Sequence, residues 1–169
     1  MSVIVNTTVL SNFASISQLE VLHQLYPILY MPTQVYDEVR HGRDEGYHFY
    51  GDIEQHIYPL TSAGWLHLTS LDTAQALQMY GELPGRLHHG EAACIAIAYD
   101  RGWLFLSDDR AARAEATRLG ITISGSLGCL VLAIERKISS VEQGNVWLAA
   151  MIAQGYHAPL TDLTHLLRR

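Results

Sequence analysis

Lysine is almost missing from this chain of 169 residues. Lys137 is the only one, and the other ten basic residues are arginines. The first 39 residues carry no Lys or Arg at all. Seventeen acidic side chains bring the formal charge to −6, which argues against a generic basic wrapper of nucleic acid. Cysteine is as scarce. Cys94 and Cys129 each sit in an apolar helical stretch, EAACIAIAY and LGCLVLAI, so nothing suggests a disulfide scaffold or a zinc site and two small core residues are expected. No apolar run reaches the roughly 18 residues of a membrane span, and the first residues lack a basic segment followed by a long apolar one. The expectation is a cytoplasmic protein with no membrane attachment. Internal repeats, low-complexity tracts and linkers are also absent, so one domain is expected, 1–169, burying roughly 70% of its unfolded surface.

What is present is an alternation of short apolar runs with helical spacing. Val3 to Val5 reads as a strand, followed by a helix from Thr7 or Thr8 through Ile16 and a helical continuation through Leu19, Leu22 and Leu25. Ile28 to Met31 reads as a second strand, and Pro32 opens a helix that Gly42 closes. Tyr47 to Thr61 has mixed helical spacing. Trp65 to Thr69 alternates as a third strand, and Asp72 is placed to cap the next helix. The stretch from Glu82 to His89 reads as an exposed loop, and Glu91 to Tyr99 as an Ala-rich helix stopped by Gly102. Leu104 to Leu106 is a fourth strand, all apolar as a strand buried on both faces should be. Asp108 or Asp109 caps a helix to Leu119, and Ile121 to Ile123 forms a fifth strand. Helices at Leu127–Lys137, 141–154 and 160–167 follow, the two C-terminal ones, 141–167, packed on the domain. Strands alternating with helices predict a three-layer α/β/α sandwich around a parallel sheet of about five strands.

In such a sheet ligands bind beyond the carboxyl ends of the strands. Asn6 directly follows the first strand, and Asp108 and Asp109 directly follow the fourth, after Ser107. If those strands are neighbours, their ends face one crevice. Glu38 lies two turns into the helix after the second strand, and Glu91 starts the helix before the fourth, so both can point there. Oxygen-rich side chains converging without Cys or a His cluster favour a hard cation, Mg²⁺ or Mn²⁺. Such ions serve phosphodiester hydrolysis by activating water and neutralising charge on the attacking and leaving oxygens. Arg101, Arg110, Arg113 and Arg118 cluster around the last acidic island, and the arginine fork suits phosphate. The adjacent His88 and His89 read as solvated loop residues, because neighbours in a polar loop rarely chelate together.

The segments VIVNTTVLSNF, MPTQVYDEV, GEAACIAIA, LFLSDDRAAR and TISGSLGCLVLAIERKIS, in that order, resemble the PIN-domain nucleases. Within them the likeness is to the subgroup related to the ribonucleases of bacterial toxin–antitoxin pairs, over roughly residues 2 to 155. The resemblance implies a metal-binding acid set in which Asn6 stands where the family has its first Asp. Glu38 matches the second acid, Glu91 the third, and Asp109 or Asp108 the fourth. Asn6, Glu91 and Asp109 would be the metal ligands. Thr7 or Ser107 resembles the hydroxyl residue that orients a ligand or water, and Arg110 and Arg113 are candidates for substrate phosphate. The same resemblance implies an RNA substrate, a small antitoxin protein that plugs the acidic site, and a homodimer.

Asn6 departs from that pattern. An Asn keeps a carbonyl oxygen but loses a full negative charge beside the metal, so an inactivated or weakened nuclease is expected. An engineered exchange, a naturally inactive homologue kept for binding, and a nuclease working with the remaining acids all remain open at this level. The second of these corresponds to a non-catalytic scaffold that binds RNA or a protein partner. Two other folds with ligands at strand ends fit less well. A receiver-type signalling domain wants its acidic pair near the first strand and a Lys after its last, and a dinucleotide-binding fold wants a glycine-rich turn where NTTVLS stands.

Overall fold

The computed structural model describes residues 1–167. Six strands form one sheet: β1 (Val3–Val5), β2 (Leu29–Pro32), β3 (Ile57–Tyr58), β4 (Leu66–Thr69), β5 (Leu104–Leu106) and β6 (Ile123–Ser124). Their order is β3-β4-β2-β1-β5-β6 and every pairing is parallel. Strand order therefore reverses at β1, which has β2 on one side and β5 on the other. That is the position where a parallel sheet opens a crevice at the strand ends.

The helices are α1 (Thr7–Ala14), α2 (Leu19–Leu25), α3 (Thr33–Asp44), α4 (Ala74–Glu82), α5 (His89–Arg101), α6 (Arg110–Arg118), α7 (Ser126–Glu135), α8 (Val141–Ala153) and α9 (Thr164–Leu167). α5 packs against α3, α4 and α6, while α7 packs against α1, α2 and α8. α3 touches both α1 and α5, so it bridges the two groups. Every residue of α5 from Gly90 to Ala98 is buried, and its small Ala and Gly positions let neighbouring helices approach. One apolar cluster joins both groups to the strands, from Ile4, Phe105 and Leu106 through Cys94 and Cys129 to Leu148, Met151 and Leu163. Both cysteines are free and buried.

The sandwich expected from the alternation is observed, with six strands rather than five. The added one is β3, only two residues long. It falls in the segment whose mixed spacing comes from two short 3₁₀ turns, His48–Tyr50 and Ile53–His56, and a two-residue edge strand has too little length to show a period. Several boundaries also move. β6 is shifted from Ile121–Ile123 because Ile123 and Ser124 are the residues in register with Phe105 and Leu106. α3 runs through Gly42 to Asp44. The helix cap before α4 is Thr73, whose Oγ1 accepts the Ala76 N–H at 3.0 Å, whereas Asp72 pairs with Arg101 at 2.5 Å. The loop before α5 is shorter than expected, because the helix begins at His89 and Leu87 is buried. α7 spans Ser126–Glu135 rather than Leu127–Lys137, and the last helix is confined to Thr164–Leu167.

Phe105 is fully buried in β5, which lies between β1 and β6. Its replacement by Ala removes a large side chain from a packed interior and leaves a cavity. The expected loss is about 3–5 kcal/mol in a urea or guanidinium unfolding experiment. A loss below about 1 kcal/mol would mean that β5 does not anchor the core as described.

Candidate active site

β1 and β5 end together. Val5 is in register with Leu106, and the next residue donates its backbone N–H to Leu106 O at 3.0 Å. Asn6 and Ser107 therefore stand side by side at the mouth of the crevice, 1% and 0% exposed. Asn6 is also the N-cap of α1. Its Oδ1 accepts the Thr7 N–H at 2.7 Å, and this fixes the amide's orientation, because a backbone N–H can only donate. The amide nitrogen is left to face Ser107 and donates to its Oγ at 3.2 Å.

A continuous chain of hydrogen bonds runs out from this pair. On one side, Thr7 Oγ1 donates to Glu38 Oε2 at 2.6 Å. On the other, the backbone N–H of Asp109 donates to Ser107 Oγ at 3.1 Å. Glu38, Thr7, Asn6, Ser107 and Asp109 thus belong to one network drawn from α3, α1, β1, β5 and α6. Glu38 is held from a third direction too, by the Gly90 N–H on its Oε1 at 2.9 Å. The close approach needs a glycine: a Cβ at position 90 would lie 2.7–2.9 Å from the Glu38 carboxylate.

Glu91 is the next residue on α5 and is buried, 5% exposed. Burial pushes its carboxyl above the usual carboxylate range. The His88 N–H, which donates to its Oε2 at 3.1 Å, opposes the shift, while the charges of Asp109 and Glu38 add to it. Glu91 thus lies within range of the charges of both Asp109 and Glu38. Asp109 caps α6, its Oδ1 accepting the Ala112 N–H at 2.8 Å. The structure therefore brings Asn6, Thr7, Glu38, Glu91, Ser107 and Asp109 together.

Asp108 turns away from them. Its Oδ1 accepts the Ser126 N–H at 2.8 Å at the start of α7, and its Oδ2 accepts from Asn12 Nδ2 at 2.8 Å and from Ser126 Oγ. Its own N–H donates to Thr8 Oγ1 at 2.9 Å. A carboxylate engaged by three donors ties α1 to α7 and to the end of β5. Gly125 gives it room, since a Cβ there would overlap Asp108 Oδ1 and lie 3.1 Å from Arg113 Nη1. Arg113 donates to Ser107 O at 2.9 Å, and Arg110 is exposed beside it. Asn12 and Ser126 escaped the sequence reading. The available signal for Asn12 was a polar Thr8–Asn12 pair, four apart on an otherwise core-facing helix. His88 and His89 are not in a free loop: they open α5, and His89 Nδ1 lies 2.9 Å from Tyr80 Oη.

The sequence model of a family described as a PIN domain matches residues 2–169. The chain belongs to the PIN-domain family. No curated protein matches it. PIN domains are generally nucleases and typically use divalent metal ions, so this PIN chain carries a nuclease-type fold. Its donors suit a hard cation in kind, being oxygens throughout. They do not suit one in placement. Among the described residues no three Asp, Glu, His or Cys side chains stand close enough to hold a metal ion. At the centre Asn6 spends its one oxygen on the Thr7 N–H and presents an NH₂ group to Ser107. As it stands, the PIN site is a hydrogen-bonded polar network and not a cation cage.

The raised Glu91 pKa sets a pH dependence. The folded protein holds this proton more tightly than the unfolded chain, so the contribution to stability is present at acid pH and lost as pH rises through the folded value. Glu91→Gln keeps an oxygen for the His88 N–H and removes the charge. It is expected to be more stable than the parent at neutral pH, with the difference shrinking below about pH 4. Urea unfolding of both proteins at the two pH values checks this, and a Gln variant less stable at neutral pH would contradict it.

Proposed function

We propose that this PIN domain is a metal-dependent endoribonuclease, the toxin of a toxin–antitoxin pair, held in an inactivated or weakened form by Asn6. The observation that carries the reading is the network itself, at the reversal of strand order: Glu38 holds Thr7 beside Asn6, the Asp109 backbone N–H reaches Ser107 on Asn6's other side, and Glu91 is buried within range of the Glu38 and Asp109 charges. An Asp at position 6 retains the cap on Thr7 N–H and gains a favourable charge at a helix N-terminus. Its second oxygen would accept from the Ser107 hydroxyl, which now receives two N–H donors. The roles then follow from what each residue touches. Glu38, Glu91 and Asp109 supply charge, Thr7 and Ser107 orient their neighbours, and Arg110 and Arg113 lie where substrate phosphate would pass. In this reading Asn6, Glu91 and Asp109 would form the shell for Mg²⁺ or Mn²⁺ once position 6 is acidic. A small antitoxin protein that covers the acidic site, a homodimer and a cytoplasmic location complete the proposal, the last in keeping with two free buried cysteines. No helix among the described residues is long and apolar enough to cross a membrane.

Asn6 itself favours a second reading, a non-catalytic PIN scaffold that binds RNA or a protein partner. The same variant separates the two. Asn6→Asp adds a buried charge to an acidic cluster, so it should be less stable than the parent in chelator and should recover on adding Mn²⁺. Its Mn²⁺ affinity should exceed the parent's by at least about 10–100-fold, the scale on which even outer-shell partners act. It should cleave RNA where the parent does not, and adding Glu91→Gln should abolish that cleavage. Thermal unfolding, calorimetry and a total-RNA cleavage assay supply the readouts. Tight metal binding without cleavage of any RNA would support the scaffold, and equal Mn²⁺ affinity in both proteins would remove position 6 from the metal shell.

A further inference from the structure

The short turn from Ser107 to Asp109 is gripped at every residue. Ser107 donates its N–H to Ser124 O at 3.0 Å, and its carbonyl accepts from Arg113 Nη1 at 2.9 Å. Asp108 is held by backbone and side chain at once. Its N–H donates to Thr8 Oγ1 at 2.9 Å, while its carboxylate accepts from Asn12 Nδ2 and from both the N–H and the hydroxyl of Ser126. Asp109 donates its N–H back to Ser107 Oγ at 3.1 Å. Asn12 Nδ2 also reaches Ser126 Oγ at 3.1 Å, so Asn12, Asp108 and Ser126 close a triangle. Thr8 and Asn12 stand one turn apart on α1, and the fully buried Ser126 opens α7.

A staple between helices would need less. The N-cap of α7 is Gly125, which has no side chain to serve as a cap, and Asp108 supplies the cap from eighteen residues back. Its charge also meets the positive end of the α7 dipole. Fastening α7 requires only that carboxylate. The grip of Thr8 on the Asp108 N–H fixes, in addition, which way the turn faces. Asp109 has extended backbone, and side chains alternate along an extended chain. Ser107 and Asp109 therefore share the side that meets Asn6 and Glu91 only while Asp108 is kept on the other.

We propose that Asn12 and Ser126 are positioning residues for the acid network. Acting through Asp108, they hold the turn so that Ser107 and Asp109 face Asn6 and Glu91. The proposal rests on the proposed nuclease function for the use made of those two residues. Three buried or half-buried polar side chains satisfy one another here, and such a closed set has one arrangement of donors and acceptors. Removing one member leaves a donor or acceptor without its partner and frees Asp108 to turn. Asp109, the next residue and the cap of α6, is the one that such a turn displaces.

Amide hydrogen exchange in the full chain tests this without metal or substrate. Two N–H groups report on the start of α6: that of Asp109 and that of Ala112, which Asp109 caps. The Ala76 N–H, capped in the same manner by Thr73 at the start of α4, is the control. Ser126→Ala removes only the hydroxyl, and Asn12→Leu removes the donor at similar size. Each should speed exchange at Asp109 and Ala112 by about tenfold, the scale of one lost buried hydrogen bond, and leave Ala76 at the parent rate. Asn12→Asp combined with Asp108→Asn keeps every hydrogen bond of the triangle and moves the charge to α1. This pair should return both rates to the parent's. Equal acceleration at all three sites would make the triangle a staple for the whole fold and overturn the proposal. Unchanged rates at Asp109 and Ala112 in both single variants would overturn it too, as would a swapped pair that does not recover. Failure here is separable from failure of the proposed function. An Asn6→Asp protein whose RNA cleavage and local exchange are both untouched by Ser126→Ala keeps the nuclease and removes the positioning role. Local acceleration in the single variants, with no cleavage by Asn6→Asp, does the reverse.

Discussion

Three register pairs between β1 and β5 govern the rest of this molecule. Val3, Ile4 and Val5 sit opposite Leu104, Phe105 and Leu106, and the sheet stops on both strands at the same level. A slip of one residue would turn Asn6 and Ser107 to different faces of the sheet, since side chains alternate along a strand. Because the register holds, the two side chains meet, and α1 and α6 both start from the same ledge. Each helix then brings a further partner, Thr7 with its grip on Glu38 and Asp109 with its N–H on Ser107. The apolar strands are thus what position the polar network, and they do so from within a core that admits little adjustment.

Packing polar groups this densely has an energetic side. Burial raises the Glu91 pKa, and the charges of Asp109 and Glu38 add to the shift, so a further charge would be poorly accommodated there. An amide at the centre satisfies the Thr7 N–H, gives Ser107 a donor and adds no charge to a site already rich in acids. The amide also leaves the centre of the network without an anion.

The two aspartates after β5 illustrate how neighbouring residues of the same type divide. Asp109 faces the network and caps α6, while Asp108 fastens α1 to α7 through Asn12 and Ser126. Nothing in the run SDDRAAR distinguishes them, because the choice depends on α7, eighteen residues further along the chain. Gly90 and Gly125 are similar cases. Each is an unremarkable glycine in sequence, and each is where a carboxylate from elsewhere in the chain comes too close to admit a Cβ.

Hydrophobic periodicity, turn chemistry and the placement of acids at strand ends sufficed to read the parallel sandwich and the order of its main elements, because those features are local and repeat along the chain. Asn6 at the end of the first strand was visible in the same way, as was its lack of charge. Other features depended on contacts between distant segments. The two-residue strand at Ile57 exists only because β4 offers it an edge, and Thr73 rather than Asp72 caps α4 because Arg101 takes Asp72 for itself. Likewise, which aspartate faces the acids follows from Asn12 and Ser126, brought to Asp108 from α1 and α7. Local pattern determines which elements form; the packing of distant ones determines what each side chain touches.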